Sequence, residues 1–212
     1  MEVFGTIVRF FQNGGLFMYP IVIILAIGLA IAIERYIYLT RSESGNRKLW
    51  EKLQPLLSSG DYAGAFEVAS KSDAAVGQVL AYGISRLRTS TNRQDVEMSM
   101  EESLLEVTPQ LEKRTHYLAV LANVATLLGL LGTIMGLIAG FTAVANVNPA
   151  EKADLLSASI SVAMNTTAFG LIVAIPLLLL HAILQTRTTA LVDSIEMASV
   201  KFLNTTRTTE PA

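Results

Sequence analysis

The 212-residue sequence contains no cysteine, and only 16% of its residues are charged. The absence of cysteine excludes disulfides, thiolate metal sites and cysteine-based catalysis. Soluble domains carry about 25% charged residues, so this charge content is low. The formal net charge is −2, which argues against a basic surface for nucleic acid. With 51% hydrophobic residues and a mean hydropathy of +0.47, the sequence predicts a membrane protein with a modest soluble part.

The long apolar runs also lack ionisable residues at their central depth. A chain that relays protons alone would normally need such a group inside the membrane. If ions move through this protein, the titrating carboxylate is therefore expected from another chain. No Ser-His-Asp arrangement, phosphate-binding loop or metal-ligand cluster is readable either, so we expect no enzyme, no cofactor and no metal site.

Apolar run length predicts three transmembrane helices, because about 20 apolar residues suffice to cross a bilayer. Basic residues are concentrated after the first run, before the second and after the third, which predicts a periplasmic N-terminus and a cytoplasmic C-terminus. The predicted order is an interfacial amphipathic helix at 1–15, a span at 16–39, a cytoplasmic helical segment at 40–115, a span at 116–145, a periplasmic loop at 146–154, a span at 155–186, and a cytoplasmic helix and tail at 187–212. A partly ordered tail is the alternative for 1–15.

The segment at 41–115 is predicted to be helical and to extend the membrane helices. Its helices are expected to be short, because breaks are predicted at Gly45, Pro55, Ser58–Gly60 and Gly77. Asp61 is expected to cap a helix over Tyr62–Ser70. A kink or joint is predicted at Pro109, and Asp154 or Ser157 is expected to cap the third span.

An acidic run in this segment comprises Glu97, Glu101, Glu102 and Glu106. It could resemble a cation site, but a solvated helix face is the favoured interpretation. Glu34 and Arg35 are interpreted as the membrane boundary of the first span.

The second span carries an unusual number of glycines, namely Gly129, Gly132, Gly136 and Gly140. Each costs about 1 kcal/mol relative to alanine in a helix, so their presence needs a reason. Three of them repeat at every fourth residue, which places them on one stripe where another helix can approach closely. We therefore predict helix packing at these positions and at Gly170.

The first half of the third span is polar for a membrane helix, and it includes Asn165, Thr166 and Thr167. Together with Thr133 on the second span, these side chains offer neutral oxygens that can solvate an ion or bind a carboxylate. Serine and threonine in membrane helices also bond back to their own backbone, and singly each would be structural. As a cluster beside a glycine-rich helix, they favour a hydrated or partner-filled interior.

These two spans resemble the signature helices of the ExbB/TolQ/MotA ion-channel superfamily. The resemblance is carried by LLGLLGTIMGLIAGFTAVA in span two and ISVAMNTTAFGLIVAIP in span three. The Gly-Gly-x-x-x-Tyr-Pro start, the Glu34-Arg35 pair and the Gly60-Asp61 turn also fit. Three spans rather than four favour the ExbB/TolQ branch.

The resemblance implies an all-α pentamer of such subunits around a dimer of a single-span partner of the ExbD/TolR type. That partner would bring a membrane aspartate, and a TonB/TolA-like protein is a further possible partner in the periplasm. Ion flow would turn the pentamer about the dimer in the bacterial inner membrane. The resemblance also implies that Thr133 and Thr167 line the ion pathway, and we extend that prediction to Thr166 and Asn165.

One residue departs from the family pattern. The pattern usually has a glutamate five residues before the span-three threonine, whereas this chain has Val162. Neutral oxygens without an acid would also suit Na⁺, a hard cation that takes oxygen ligands. We expect H⁺ as the transported ion, with Na⁺ as the alternative. A structural membrane scaffold, with glycines serving only oligomer packing, is the rival of another class.

Overall fold

The computed structural model describes residues 14–90, 92–145 and 147–207. All regular elements in these residues are α-helices: α1 Met18–Ser58, α2 Tyr62–Ser70, α3 Ala75–Leu87, α4 Arg93–Glu112, α5 Thr115–Ala145 and α6 Lys152–Arg207. Three helical stretches, Met18–Ser58, Arg93–Ala145 and Lys152–Thr206, are long and apolar enough to cross a membrane. The prediction of an all-helical, multi-pass membrane protein is confirmed. The amphipathic helix predicted at 1–15 falls almost wholly outside the described residues.

The chain divides into two compact units. The first, here called the apolar unit, comprises residues 1–33 and 114–183. The second, here called the polar unit, comprises residues 34–113 and 184–212. Two long helices contribute to both, because α1 and α6 each continue past the point where the apolar sequence ends.

In the apolar unit, small residues are buried between the helices, and many large apolar side chains are exposed. Ala122, Ala125 and Gly129 of α5 are buried, as are Ala163 and Ala174 of α6. Many large apolar side chains are exposed instead, among them Leu127, Ile134, Phe141, Ile172 and Leu179. Lipid solvates large apolar side chains, whereas small residues let helix backbones approach each other. The pattern is that of helices packed within a bilayer.

The polar unit has a conventional hydrophobic core. Leu53, Leu80, Ile84 and Phe202 are fully buried in it. The Tyr62 and Phe202 rings pack edge to face, with 6.4 Å between their centroids and an interplanar angle of 82°. Burial of such side chains contributes about 1.5–3 kcal/mol each. The core explains why the long continuations of α1 and α6 remain helical outside the apolar unit.

Three predicted breaks in the 41–115 segment are wrong: Gly77 lies within α3, and Gly45 and Pro55 lie within α1. Buried residues continue on one face of α1 through both positions, at Leu49, Leu53 and Leu57. Tertiary packing of this face outweighs the local cost of a glycine or a proline in a helix.

The remaining local predictions have different outcomes. The cap at Asp61 is confirmed, since its Oδ1 accepts a hydrogen bond of 2.9 Å from the Gly64 N–H. The cap at Asp154 or Ser157 is wrong, because α6 begins at Lys152. Pro109 lies inside α4, and the break between α4 and α5 comes later, at Lys113 and Arg114. Arg114 has a φ of 66°, a left-handed conformation that ends the helix.

Candidate functional site

Two glycines bring α5 and α6 into backbone contact. A Cβ added to Gly170 would lie 2.8 Å from the Ala125 carbonyl oxygen and 3.0 Å from the Gly129 Cα. A Cβ added to Gly129 would lie 3.3 Å from the Gly170 Cα. Neither position has room for a side chain without a shift of backbone. The two helices therefore approach closely here, and side chains beside the crossing can meet.

Thr133 and Thr167 meet beside this crossing. The two hydroxyl oxygens are in direct hydrogen-bond contact. The Gly129 carbonyl oxygen can accept from either of them and lies 3.2 Å from the Thr133 oxygen and 2.9 Å from the Thr167 oxygen. Both side chains are half-buried. The result is a cluster of three neutral oxygens, contributed by two helices.

This three-oxygen cluster has more acceptors than protons. Each hydroxyl has one hydrogen and two lone pairs, and the carbonyl has lone pairs only. If Thr167 donates to Gly129, then Thr133 can donate either to Thr167 or to Gly129. The hydrogen bonds can therefore be exchanged without moving a heavy atom. Such a cluster can accept from a protonated carboxyl group, donate to an ionised one, or contribute oxygens to a partly dehydrated cation.

The structure does not bring Thr166 to this cluster. Thr166 is 1% exposed, and its hydroxyl is hydrogen-bonded to the Gly14 carbonyl and, at 2.9 Å, to the Val162 carbonyl. Adjacent residues on a helix point about 100° apart, so Thr166 and Thr167 serve different contacts. Thr166 holds the turn at Gly14, which precedes α1, against α6.

Val162 contacts the same turn. A Cβ on Gly15, whose φ is +73°, would lie 3.2 Å from Cγ1 of Val162. The apolar side chain of Val162 therefore lies against the turn that precedes α1. Asn165, also predicted to line the pathway, is half-buried. Its side chain has no hydrogen bond to any described residue, and nothing ties it to the threonine cluster.

The other predicted packing glycines lie against α6 as well. A Cβ on Gly136 would lie 2.9 Å from Cβ of Ala163, and one on Gly140 would lie 2.7 Å from Cβ of Ser159. A Cβ on Gly132 would clash with the Thr166 side chain. The glycine stripe of α5 therefore faces α6 along about three turns. Gly28 of α1 is similarly close to Leu177, at 2.6 Å from its Cδ2.

The two residues predicted to mark the membrane boundary, Glu34 and Arg35, have different environments in the polar unit. Arg35 is 2% exposed and donates to the Leu111 carbonyl near the end of α4, with its guanidinium 4.6 Å from the centre of the Tyr38 ring. Carbonyls in the last turn of a helix have no partner within the helix, so this donor satisfies one of them. Glu34 is exposed. Arg35 thus connects two helices as well as marking the end of the apolar run.

Sequence reasoning missed the carbonyl acceptors at Gly14 and Gly129. The Gly14-Gly15 pair signalled a turn, but its partner lies 152 residues away, and no local pattern reports such a contact. The acceptor role of Gly129 was hidden because a carbonyl belongs to every residue. It becomes visible only once the helices are seen to cross there.

Comparison with known proteins places this geometry in context. Residues 71–197 match the model of the MotA/TolQ/ExbB proton channel family. The putative biopolymer transport protein ExbB homolog of Methanothermobacter thermautotrophicus is 28% identical over 199 residues, covering 93% of this chain and 69% of that protein. The biopolymer transport protein ExbB of Aquifex aeolicus is 33% identical over 102 residues, covering 48% and 66%. That of Pseudomonas putida is 25% identical, and the match spans about half of its length, 52%.

Proposed function

Because the chain belongs to the ExbB/TolQ branch of the MotA/TolQ/ExbB proton channel family, we propose that it is the stator subunit of an ion-driven motor in the bacterial inner membrane. Five copies form a ring around a dimer of a single-span ExbD/TolR-like partner. The motor converts the ion-motive force into work in the cell envelope, for transport or another task. Its N-terminus is periplasmic and its C-terminus cytoplasmic.

The observation that carries this proposal is the oxygen cluster of Thr133, Thr167 and the Gly129 carbonyl. It lies between two apolar helices, and the central parts of the spans contain no ionisable residue. A neutral cluster cannot store a proton, but it can orient a carboxyl group in either protonation state. The partner's membrane aspartate supplies the titrating group, and the cluster of each subunit receives it in turn.

Each step then follows from hydrogen bonding. The aspartate, when protonated, is neutral and can enter the apolar interior, where an unpaired ionised carboxylate would cost several kcal/mol. At the cluster it donates to one threonine oxygen and accepts from the other. When it loses its proton, both hydroxyls turn to donate. The ring advances by one subunit as the aspartate of the second partner copy takes its turn.

We propose H⁺ as the transported ion. Na⁺ is the alternative, which the valine at position 162 and the three neutral oxygens favour, because a hard cation takes oxygen ligands. Ion flux into proteoliposomes separates the two. Flux driven by a pH gradient in sodium-free buffer supports H⁺, whereas flux that requires added Na⁺ supports the alternative.

Removal of the hydroxyls tests the role of the cluster. Thr133→Val and Thr167→Val keep the side-chain shape and lose the hydroxyl, so each is expected to lower partner-dependent ion flux at least tenfold. Thr167→Ser keeps the hydroxyl and is expected to retain most of it. The matched control is Thr126→Val on the same helix, because the only acceptor of the Thr126 hydroxyl among the described residues is the Ala122 carbonyl of its own helix.

The same variants address the scaffold alternative. A scaffold needs the glycine packing but not the hydroxyls, so it predicts normal envelope function in both valine variants. Assembly is checked in parallel by native mass spectrometry. Normal function and flux in an intact complex of either valine variant would contradict the motor proposal.

A further inference from the structure

The polar unit carries an exposed ridge on α4 that no described residue covers. Met98 and Leu105 are 69% and 71% exposed, and they lie seven residues apart on one helix face. Glu101 and Glu102 flank them on either side of that face. The opposite face of α4 is buried through Val96, Met100, Ser103, Val107 and Leu111. We call the exposed residues 97, 98, 101, 102, 105 and 106 the acidic ridge.

The charge of the acidic ridge is uncompensated. None of its four glutamates has an ion-pair partner in the described part of the chain. Glu97 and Glu101 also share a recess of about 260 Å³ with a third carboxylate, that of Glu196 on α6. Like charges in one place repel each other, so this surface favours a cationic partner.

A face of matching charge lies on α1. Arg41, Lys48 and Lys52 fall on one stripe of the helix, since they are seven and four residues apart. All three are exposed, and none has an ion pair in the residues that the structure describes. We call these three residues the basic stripe. Within one copy, the basic stripe and the acidic ridge make no ion pair with each other.

The basic stripe and the acidic ridge lie at the same level along the polar unit. Two contacts align α1 with α4. The first is the bond from Arg35 to Leu111. The second runs through the end of α6, where Lys201 lies over the Trp50 ring and the Leu203 carbonyl accepts from Arg93 over 3.0 Å.

Distances along the helices can therefore be compared from the first contact. At about 1.5 Å per residue, Arg41 lies about 9 Å beyond Arg35, and Glu106 lies about 8 Å from Leu111. Lys48 lies about 20 Å along α1, and Glu97 about 21 Å along α4. Arg41 and Lys48 thus each have a ridge carboxylate at their own level on the other helix, and Lys52 lies about one turn beyond the last of them.

From this match we propose that the acidic ridge of one copy docks on the basic stripe of the next copy. The inference rests on the proposed ring, because rotation about the membrane normal keeps every residue at its own depth. Only surfaces at equal depth can then meet between neighbours. The contact is heterologous, so each copy offers one surface to each side, which is the arrangement that a closed ring requires.

The apolar part of the ridge is covered in the same contact. Lysine and arginine have long apolar stems, which can lie along apolar surface while their charged ends remain in water. The stems of Arg41 and Lys48 would cover Leu105 and Met98. Lipid covers the exposed apolar residues of the apolar unit, whereas this ridge needs a protein neighbour.

Cross-linking between copies tests the contact, and the absence of native cysteine leaves no background thiol. Ser44 lies beside Arg41 and Lys48 on α1 and is exposed. The variant Ser44→Cys/Leu105→Cys is treated in native membranes with a short bis-maleimide. We expect a ladder of covalent oligomers beyond the dimer. The control Ser44→Cys/Ser70→Cys, with the second thiol at an exposed position on α2, is expected to give no ladder.

Charge exchange in the same double-cysteine background supplies the second test. Glu97→Lys/Glu101→Lys is expected to lower the ladder yield at least fivefold, and adding Lys48→Glu/Lys52→Glu is expected to restore it. A yield unchanged by the first pair would overturn the proposal. The proposal would also be overturned if the single variant Leu105→Cys gave a cross-linked dimer while Ser44→Cys/Leu105→Cys gave no ladder. A dimer of that kind would indicate a symmetric contact between two α4 helices.

The number of copies in the complex is measured separately by native mass spectrometry. An intact pentamer whose ridge and stripe do not cross-link would overturn the inference and leave the proposed function standing. A chain that remains monomeric in the presence of its partner would overturn the ring on which both depend.

Discussion

The two units of the chain use polar and apolar residues in opposite ways. In the apolar unit, many large hydrophobic side chains are exposed, whereas the hydroxyls of Thr133, Thr166 and Thr167 lie half-buried or buried and are bonded to the Gly129 and Gly14 carbonyls. In the polar unit, leucine and phenylalanine form the core, and charges cover the surface. An exposed leucine is therefore expected to face lipid in one unit and, in the docking of copies that we propose, a protein neighbour in the other.

Glycine differs between the units in the same way. Gly129 and Gly170 of the apolar unit are sites of backbone contact. Gly45 of the polar unit has only the Ala74 Cβ nearby, at 4.0 Å from an added Cβ. One glycine type permits a contact that a side chain would prevent, and the other merely weakens a helix.

Alanine substitution at these glycines should give the largest stability difference between the units, with destabilisation at Gly170 and stabilisation at Gly45. Gly170→Ala places a Cβ against the Ala125 carbonyl, and we expect a loss of about 2 kcal/mol, as for other overpacked sites. Gly45→Ala should add about 1 kcal/mol of helix stability. Thermal unfolding of the purified protein in detergent measures both. A shift of the same sign in both variants would contradict the contrast between the units.

A stability difference of intermediate size is expected between two arginine variants in the polar unit, one at a buried arginine and one at an exposed arginine. Arg35→Met removes the donor to the Leu111 carbonyl, and a hydrogen bond from a charged group contributes about 1.5–3 kcal/mol. Arg47→Met removes only the exposed pair with Glu51, at 3.1 Å, which contributes about 0.3–0.5 kcal/mol. Thermal unfolding should therefore separate the two variants clearly. Equal destabilisation would mean that the buried contact is not the stronger one.

The smallest effect is expected at an exposed pair on α2. Lys71 lies 2.6 Å from Glu67, and its hydrogen bond and charge lower the pKa of that carboxyl. A lowered pKa stabilises the fold above the ordinary carboxyl pKa, and the contribution is lost as pH falls through the folded-state value. Lys71→Met should raise the pKa of Glu67 towards 4.5, as followed by NMR titration, with no measurable change in unfolding temperature. An unchanged pKa would exclude the pair as its cause.

Much of the architecture follows from the sequence because its causes are local. Run length and the absence of charge predicted the three membrane helices, and a single aspartate after a glycine predicted the start of α2 at Tyr62. Local signals failed at Gly45 and Pro55, where a buried leucine face on α1 outweighs them. Breaking signals are weak evidence wherever an apolar stripe continues on both sides.

The candidate site was only partly accessible from the sequence. The residue types of Thr133 and Thr167 indicated neutral oxygens, and their assignment to an ion pathway stays a prediction. Their shared acceptor at Gly129 and the separate role of Thr166 depend on which helix faces cross. Neighbouring threonines look equivalent in a sequence, although the helix turns them about 100° apart.

The central claim is that this chain supplies neutral oxygens and a partner supplies the acid. The most direct measurement compares proton flux into proteoliposomes that contain the chain alone with flux into proteoliposomes that also contain a single-span partner with a membrane aspartate. The account predicts no flux above empty liposomes for the chain alone, clear flux with the partner, and its loss when that aspartate is replaced by asparagine. Equal proton flux from the chain alone would contradict the account.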